Sequence, residues 1–345
     1  MNRWTDIFKF RSGETKLKAD PRLRWFGKLP TYADYYSSPA DEEWVTEFND
    51  WLLKGYEVYH HRQHEGGHKG KRVPLPVTNC AIRLPKSHVT VLASIQDYGG
   101  DMRGRPFPLT FYVGVPSAQW PGPIAGSSWG AMSVLARLSS LRHEVMRFSR
   151  APGRFESVFG DREVDVEQVM VEGKDDGWLD GARRVSLTTW FDGLKAGLST
   201  ENLGVWLGLV GKWGETIAAL ESESFEPTFC FPLAAGLPMD MQVAAWLRWL
   251  EPLMELERRS LSLMVTEERE GGGGRLLVIA RDLVQEDFLL LTPLYRSLAY
   301  LDDLTAVKPK ESAGGGSNGP VDAADAVPDL PETLADFVVQ RMRAS

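Results

Sequence analysis

The chain has 345 residues, 43% hydrophobic and 25% charged, the proportions of an ordinary soluble globular protein. Its 39 Lys and Arg against 47 Asp and Glu leave a formal charge of −8, which argues against nucleic-acid binding. No apolar run approaches the roughly 18 residues of a membrane helix, and Met1 to Lys16 carries too much charge for a signal-peptide core, so a cytoplasmic protein without membrane insertion is expected.

A length of this order predicts two domains or one large composite. Residues 1–22 are polar and irregular and read as a flexible lead. Arg24 to Pro30 reads as a short strand ending in a Gly/Pro turn. Ser38-Pro39-Ala40-Asp41 carries the parts of a helix start, with Ser38 as cap and Asp41 three residues on. The helix that follows bears Trp44, Val45, Phe48, Trp51, Leu52, Tyr56 and Tyr59 in one apolar stripe, and Gly66-Gly67 should end it.

Two strands follow, 75–84 and 88–96. In the second, Val89, Val91, Ala93 and Ile95 alternate with Thr90, Leu92 and Ser94. A glycine-bearing loop leads to a third strand, Phe107 to Val115, and a helix is expected near 129–148. Consecutive strands without intervening helices must be mostly antiparallel. Residues 151–200 show no dominant period and read as a loop-rich connector.

Leu203, Trp206, Leu207, Val210, Trp213, Ile217 and Leu220 then mark an amphipathic helix. A strand at Thr228–Leu233 and a helix opened by Asp240 follow, with Pro252 expected to kink or interrupt that helix. Residues 261–265 and 276–279 form a hairpin around the run Gly271 to Gly274, and a helix near 284–304 closes the folded part. The expected organisation is an N-terminal α+β domain over 23–150 and a second α+β region over 201–305 packed on it. Residues 306–345 are a flexible linker with a short helix between Leu330 and Met342, a frayed tail or a docking element. Cys80 and Cys230 cannot build a disulfide framework and fit a reducing compartment.

Chemistry-bearing patterns are weak. His60, His61, His64 and His68 crowd together, and His60 and His64 share a helical face, but no Cys or Asp joins them and Lys69, Lys71 and Arg72 add positive charge. A solvated helix end is the better reading, and no metal site is expected. Gly126-Ser127-Ser128-Trp129-Gly130 matches a nucleophile elbow, yet no buried strand precedes Ser128 and no histidine follows His143. Gly211-Lys212 is followed by Trp213 where a P-loop needs Ser or Thr. The carboxylate pairs Asp175-Asp176 and Asp302-Asp303 are adjacent and do not face each other. No catalytic constellation survives, and no cofactor is expected.

Two stretches are poorly explained by such readings: Trp25-Phe-Gly27-Lys28-Leu29-Pro30 with Asp34, and Asp101-Met-Arg-Gly104-Arg105-Pro-Phe107-Pro108-Leu109. In this order they resemble the TagF (ImpM) family, accessory proteins of bacterial type VI secretion. Gly27, Lys28, Leu29 and Pro30 match its F-G-K-L-P opening, and Asp34 its acidic position. Asp101, Gly104, Arg105, Phe107, Pro108 and Leu109 match a later D-x-x-G-R-x-F-P-L block. Phe229 to Pro232 and the Trp246-Leu247 and Trp249-Leu250 pairs are similar to its later region. Tyr32-Ala33 replaces the family's R-G pair, and Tyr35 replaces Phe.

The expected fold is α+β, a largely antiparallel central sheet flanked by helices as an α/β/α sandwich, with a longin/profilin-like first half. The resemblance implies a cytoplasmic, non-enzymatic, post-translational regulator, typically a repressor. It would bind a protein of the type VI secretion apparatus, with a forkhead-associated scaffold protein as the candidate. The rival readings are a structural or adaptor subunit of the apparatus and a serine hydrolase using Ser128. Within the motifs, Gly27 and Pro30 should set a turn, and Arg105 should pair with Asp34 to lock the loop onto it or else face the partner.

Overall fold

The computed structural model describes residues 20–65, 74–117, 124–148, 154–166, 177–195, 198, 202–219, 227–254, 260–267, 273–292, 294–295, 298, 301–303 and 331–344. Nine strands share one sheet: β1 (Asp20–Gly27), β2 (Tyr36–Ser37), β3 (Val77–Arg83), β4 (Val89–Gln96), β5 (Leu109–Pro116), β6 (Thr228–Leu233), β7 (Ser262–Glu267), β8 (Gly274–Ile279) and β9 (Leu301–Asp303). Their order is β2-β1-β5-β4-β3-β7-β8-β6-β9. Among the described residues every neighbouring pair is antiparallel except β6 with β9. The α+β class with a largely antiparallel sheet therefore holds. The two halves meet edge to edge, where β3 pairs with β7 from Val77↔Glu267 to Ala81↔Leu263.

Both faces of the sheet are covered, which explains why the strands are buried throughout rather than on alternate residues. In β5, Phe111, Val113 and Val115 point into one hydrophobic cluster while Tyr112 points into the other. The Tyr112 face carries α1 (Glu43–Glu65), whose Val45, Phe48 and Leu52 stripe shares one hydrophobic cluster with Val91, Ala93 and Tyr112, Phe48 meeting the Tyr112 ring at 4.8 Å. A 3-10 helix, Gln285–Leu291, packs beside α1 and buries Phe288 to Leu291. The opposite face carries α2 (Ile124–Phe148) and α7 (Met239–Met254), with α3 (Arg154–Phe159), α4 (Gly177–Arg183), α5 (Leu187–Leu194) and α6 (Leu203–Ala219) around them.

Several expectations give way. Ser38 does not open the helix: it is buried, its Oγ accepts the Trp25 N–H at 3.1 Å, and α1 begins only at Glu43. The start of α1 is tied instead to β1, where Arg22 and Arg24 pair with Asp41 and Glu42. Residues 151–200 contain α3, α4 and α5, which bury Phe155, Phe159, Trp178, Trp190 and Phe191. Helices of six to eight residues are too short for a 3.6-residue period to emerge from the sequence.

The helix expected over 284–304 is the 3-10 helix followed by β9. Thr292 is extended, as a residue before Pro293 prefers to be, and it ends the turn. Pro252 lies in the last turn of α7, which runs on to Met254. The tail helix is α8 (Leu334–Ala344), and it docks: Leu334, Ala335, Phe337 and Val338 are buried in the core. The 306–330 linker, Gly66-Gly67 and the tip at Gly271-Gly272 lie outside the described residues.

Candidate functional site

The two motif stretches meet where β1 ends and β5 begins. Gly27 has φ +149°, and a Cβ there would sit 2.1 Å from the Pro108 carbonyl oxygen, so only glycine allows the two backbones this close. Leu29 and Phe107 are both buried, Leu29 in the hydrophobic cluster on one face of the sheet and Phe107 in that on the other. A turn follows, closed by Tyr32 N–H donating to the Leu29 carbonyl at 3.0 Å.

Residues 101–105 form a loop that closes on its own acid. Asp101 Oδ1 accepts the backbone N–H of Arg103 and of Arg105, both at 2.9 Å. Asp101 Oδ2 accepts Arg105 Nε–H at 2.7 Å and lies 3.6 Å from Lys28 Nζ. Asp101 N–H donates to the Arg105 carbonyl, and Gly104 takes φ +71°, a conformation that favours glycine. Burial of Asp101 works to raise its carboxyl pKa. The N–H donors of Arg105 and Arg103 and the Arg105 guanidinium outweigh this and hold it at about 2.

The loop is fastened to the turn. Met102 N–H donates to the Tyr32 carbonyl at 2.9 Å. Arg105 donates through Nη2 to the Ala33 carbonyl, with Asp34 Oδ1 3.6 Å away. The expected Arg105–Asp34 pair is present but secondary, since Arg105 spends its shorter contact on Asp101. Tyr35 stacks parallel on Phe26 at 5.5 Å, meets Phe107 edge-on at 5.0 Å and receives Lys28 Nζ 4.5 Å from its ring centre. Its phenol pKa is raised, first by burial and then by the Glu57 and Asp34 carboxylates.

The ten motif residues thus divide by position. Gly27, Lys28, Leu29, Asp101, Phe107 and Pro108 are buried and build the platform. Pro30, Asp34, Gly104 and Arg105 are exposed. Two side chains outside those ten crown the site: Met102 is 65% exposed and Tyr35 44%, among the few large apolar side chains left open among the described residues. Exposed Arg103 and Arg105 stand beside them. The available signal was a methionine next to two arginines inside an otherwise structural motif.

The other candidates are not assembled into sites. Ser128 is buried five residues into α2, so it does not stand on the strand-to-helix turn an elbow requires. Gly211-Lys212 lies in the middle of α6, away from any helix N-terminus. His60 and His61 are exposed on α1, while the His64 side chain, His68 and Asp175-Asp176 lie outside the described residues. No group of three or more His, Cys, Asp or Glu among the described residues is arranged to hold a metal ion. Likewise, no helix among them is long and apolar enough to cross a membrane.

No protein family and no curated protein of similar sequence matches the chain. Among solved structures, that of PA0076 from Pseudomonas aeruginosa PAO1 is similar over 77% of this chain and 93% of its own, at 13% identity and a TM-score of 0.37. A likeness that distant carries no argument about function.

Proposed function

We propose that this chain is a cytoplasmic, non-enzymatic accessory protein of bacterial type VI secretion that acts after translation by covering a component of the apparatus. The family reading rests on the motif resemblance to TagF (ImpM) proteins. The observation that carries a binding role is the exposed Met102 flanked by Arg103 and Arg105 on a loop fixed by Asp101, with exposed Tyr35 on the neighbouring turn to which that loop is fastened. Aromatic residues, Met and Arg are the types enriched in protein interfaces, and a pre-organised loop loses little freedom on binding. The chemistry fits a partner with an apolar socket and an acidic rim, and a forkhead-associated scaffold protein is the candidate. Repression follows by occlusion, since a surface of roughly 800 Å² per partner held here is withheld from assembly.

The test is a pull-down of secretion components by the purified full chain and by a Met102→Asp/Arg103→Glu variant. Both side chains are exposed, so the variant should melt as the parent does. The parent should recover a cytoplasmic secretion component and the variant at least tenfold less. Equal recovery by both, or recovery of none by the parent, refutes the proposal.

A further inference from the structure

A groove runs along the N-terminal half of α1, away from the motif site. Its walls are α1, the β3–β4 turn at Leu84 to Lys86, and the segment Leu283 to Glu286 ahead of the 3-10 helix. It encloses about 480 Å³, within the size range of ligand pockets. Its floor is apolar: Trp51 donates its indole N–H to the Val284 carbonyl at 2.9 Å, and the Val284 side chain is 44% exposed. Its rim is acidic. Glu43, Glu47 and Asp50 follow each other at helical spacing, and Glu286 faces them, against Lys54 and Lys86. Glu47 is occupied by the Lys86 and Ser87 backbone N–H groups, and Asp50 lies 3.6 Å from Lys54, which leaves Glu43 and Glu286 with the least local compensation.

The chain carries a segment of matching chemistry close by. Residues 1–19, outside the described residues, hold five basic side chains (Arg3, Lys9, Arg11, Lys16, Lys18) against Asp6 and Glu14, in a chain whose overall charge is −8. They also hold Trp4, Ile7, Phe8 and Phe10. The register shows where this segment leaves the fold. Asp20 is level with Gly114, Gly114 with Val91, and Val91 with Ile82. Asp20 therefore stands at the end of the sheet that carries the β3–β4 turn, three strands from it. That is roughly 14 Å at the usual strand spacing, whereas 19 extended residues reach about 60 Å. The Arg22 pairs with Asp41 and Glu42 hold this end of β1 beside the first turn of α1, next to Glu43.

We propose that residues 1–19 occupy this groove in the same chain, with aromatic side chains on the Trp51, Leu283 and Val284 floor and basic side chains against Glu43 and Glu286. Tethering favours this occupant over any free peptide, because a short linker holds the segment at an effective concentration near millimolar. Docking there keeps an apolar floor out of water and spreads positive charge over the most acidic flank of α1.

Zero-length carbodiimide cross-linking of the full chain, read by mass spectrometry on an equal mixture of ¹⁵N-labelled and unlabelled protein, tests the proposal. Links from Lys9, Lys16 or Lys18 to Glu43, Asp50 or Glu286 should form within single chains. They should exceed links to Asp180 and Asp192, exposed carboxylates on the other face, by at least tenfold. They should fall at least tenfold in the Trp4→Ser/Phe8→Ser/Phe10→Ser variant, which keeps every lysine, and should be lost in 1 M NaCl, where screening acts within about 3 Å. Links spread evenly over exposed carboxylates, links unaffected by the aromatic substitutions, or links found only between chains would each overturn it.

Discussion

Replacing Phe337 by alanine asks whether α8 belongs to the folded body. Phe337 is 3% exposed, and its ring lies 5.7 Å from that of Trp190, 6.3 Å from Trp246 and 6.4 Å from Trp206. Leu334 and Val338 are fully buried beside it. The helix is anchored at its start, where Leu334 N–H donates to the Val185 carbonyl and Leu187 N–H to that of Glu332, both at 3.0 Å. Thr333 and Asp336 cap it reciprocally. A buried Phe→Ala change removes about 3–5 kcal/mol. Three large side chains, at about 1.5–3 kcal/mol each, hold α8 down, so losing the largest should open the helix locally before the sheet is affected. That energy corresponds to about two to four powers of ten in the opening equilibrium. Hydrogen exchange of amides 334–344 should accelerate by that factor, with a red shift in tryptophan emission as three indoles meet water, while β3, β4 and β5 keep their protection. Unchanged exchange in α8, or equal acceleration in helix and sheet, would refute the reasoning.

Three further outcomes are expected. The Asp101 carboxyl sits at about 2 in the folded chain against an ordinary 3.8, so its stabilisation is complete above the ordinary value and lost as pH falls through 2. The gap in urea midpoint between the parent and Asp101→Asn should therefore be full at pH 6 and closed near pH 2, and a gap constant with pH would contradict the assignment. Gly27→Ala places a methyl group on the Pro108 carbonyl and keeps φ at +149°, so urea unfolding should show a loss of about 2–5 kcal/mol. Cys80 and Cys230 are fully buried and the Cys80 thiol pKa is pushed up by burial, so a thiol reagent at pH 8 should label neither in the folded chain and both in denaturant.

The sheet was legible because its strands carry patterns that survive without context. The apolar runs at 88–96, 228–233 and 276–279 announce strands, and short separations force antiparallel pairing. What escaped depended on partners distant in sequence. Ser38 looks like a cap by spacing, but its hydroxyl is used up by the Trp25 backbone. Nothing near Leu289 to Leu291 tells a helix from the 3-10 turn that slides under α1. Edge-to-edge joining of β3 and β7 is invisible in either strand, since both read as ordinary buried strands. Within the site, the turn at Pro30 was readable from residue type alone, but Gly27 ends β1 and serves the close approach of Pro108 rather than the turn. The Lys28–Asp101 contact spans 73 positions and was not.

That division bears on how a binding role is to be sought in this protein. A sequence motif invites substitution at its most distinctive positions, here Lys28, Asp101 and Phe107, yet these are buried. Removing the Asp101 carboxylate frees the N–H groups of two residues and strips Lys28 of its partner, so the loop loses its shape before any partner is consulted. Loss of activity in such a variant says that the platform matters and leaves the surface untried. Met102 and Arg103 present their side chains outward, whereas the half-exposed Tyr35 ring also packs on Phe26, Phe107 and Lys28 and so serves both surface and platform. A change at Met102 or Arg103 alters what a partner meets while the hydrogen bonds around Asp101 stay intact. The least motif-like residues of the site are therefore the ones whose substitution distinguishes a contact from a scaffold.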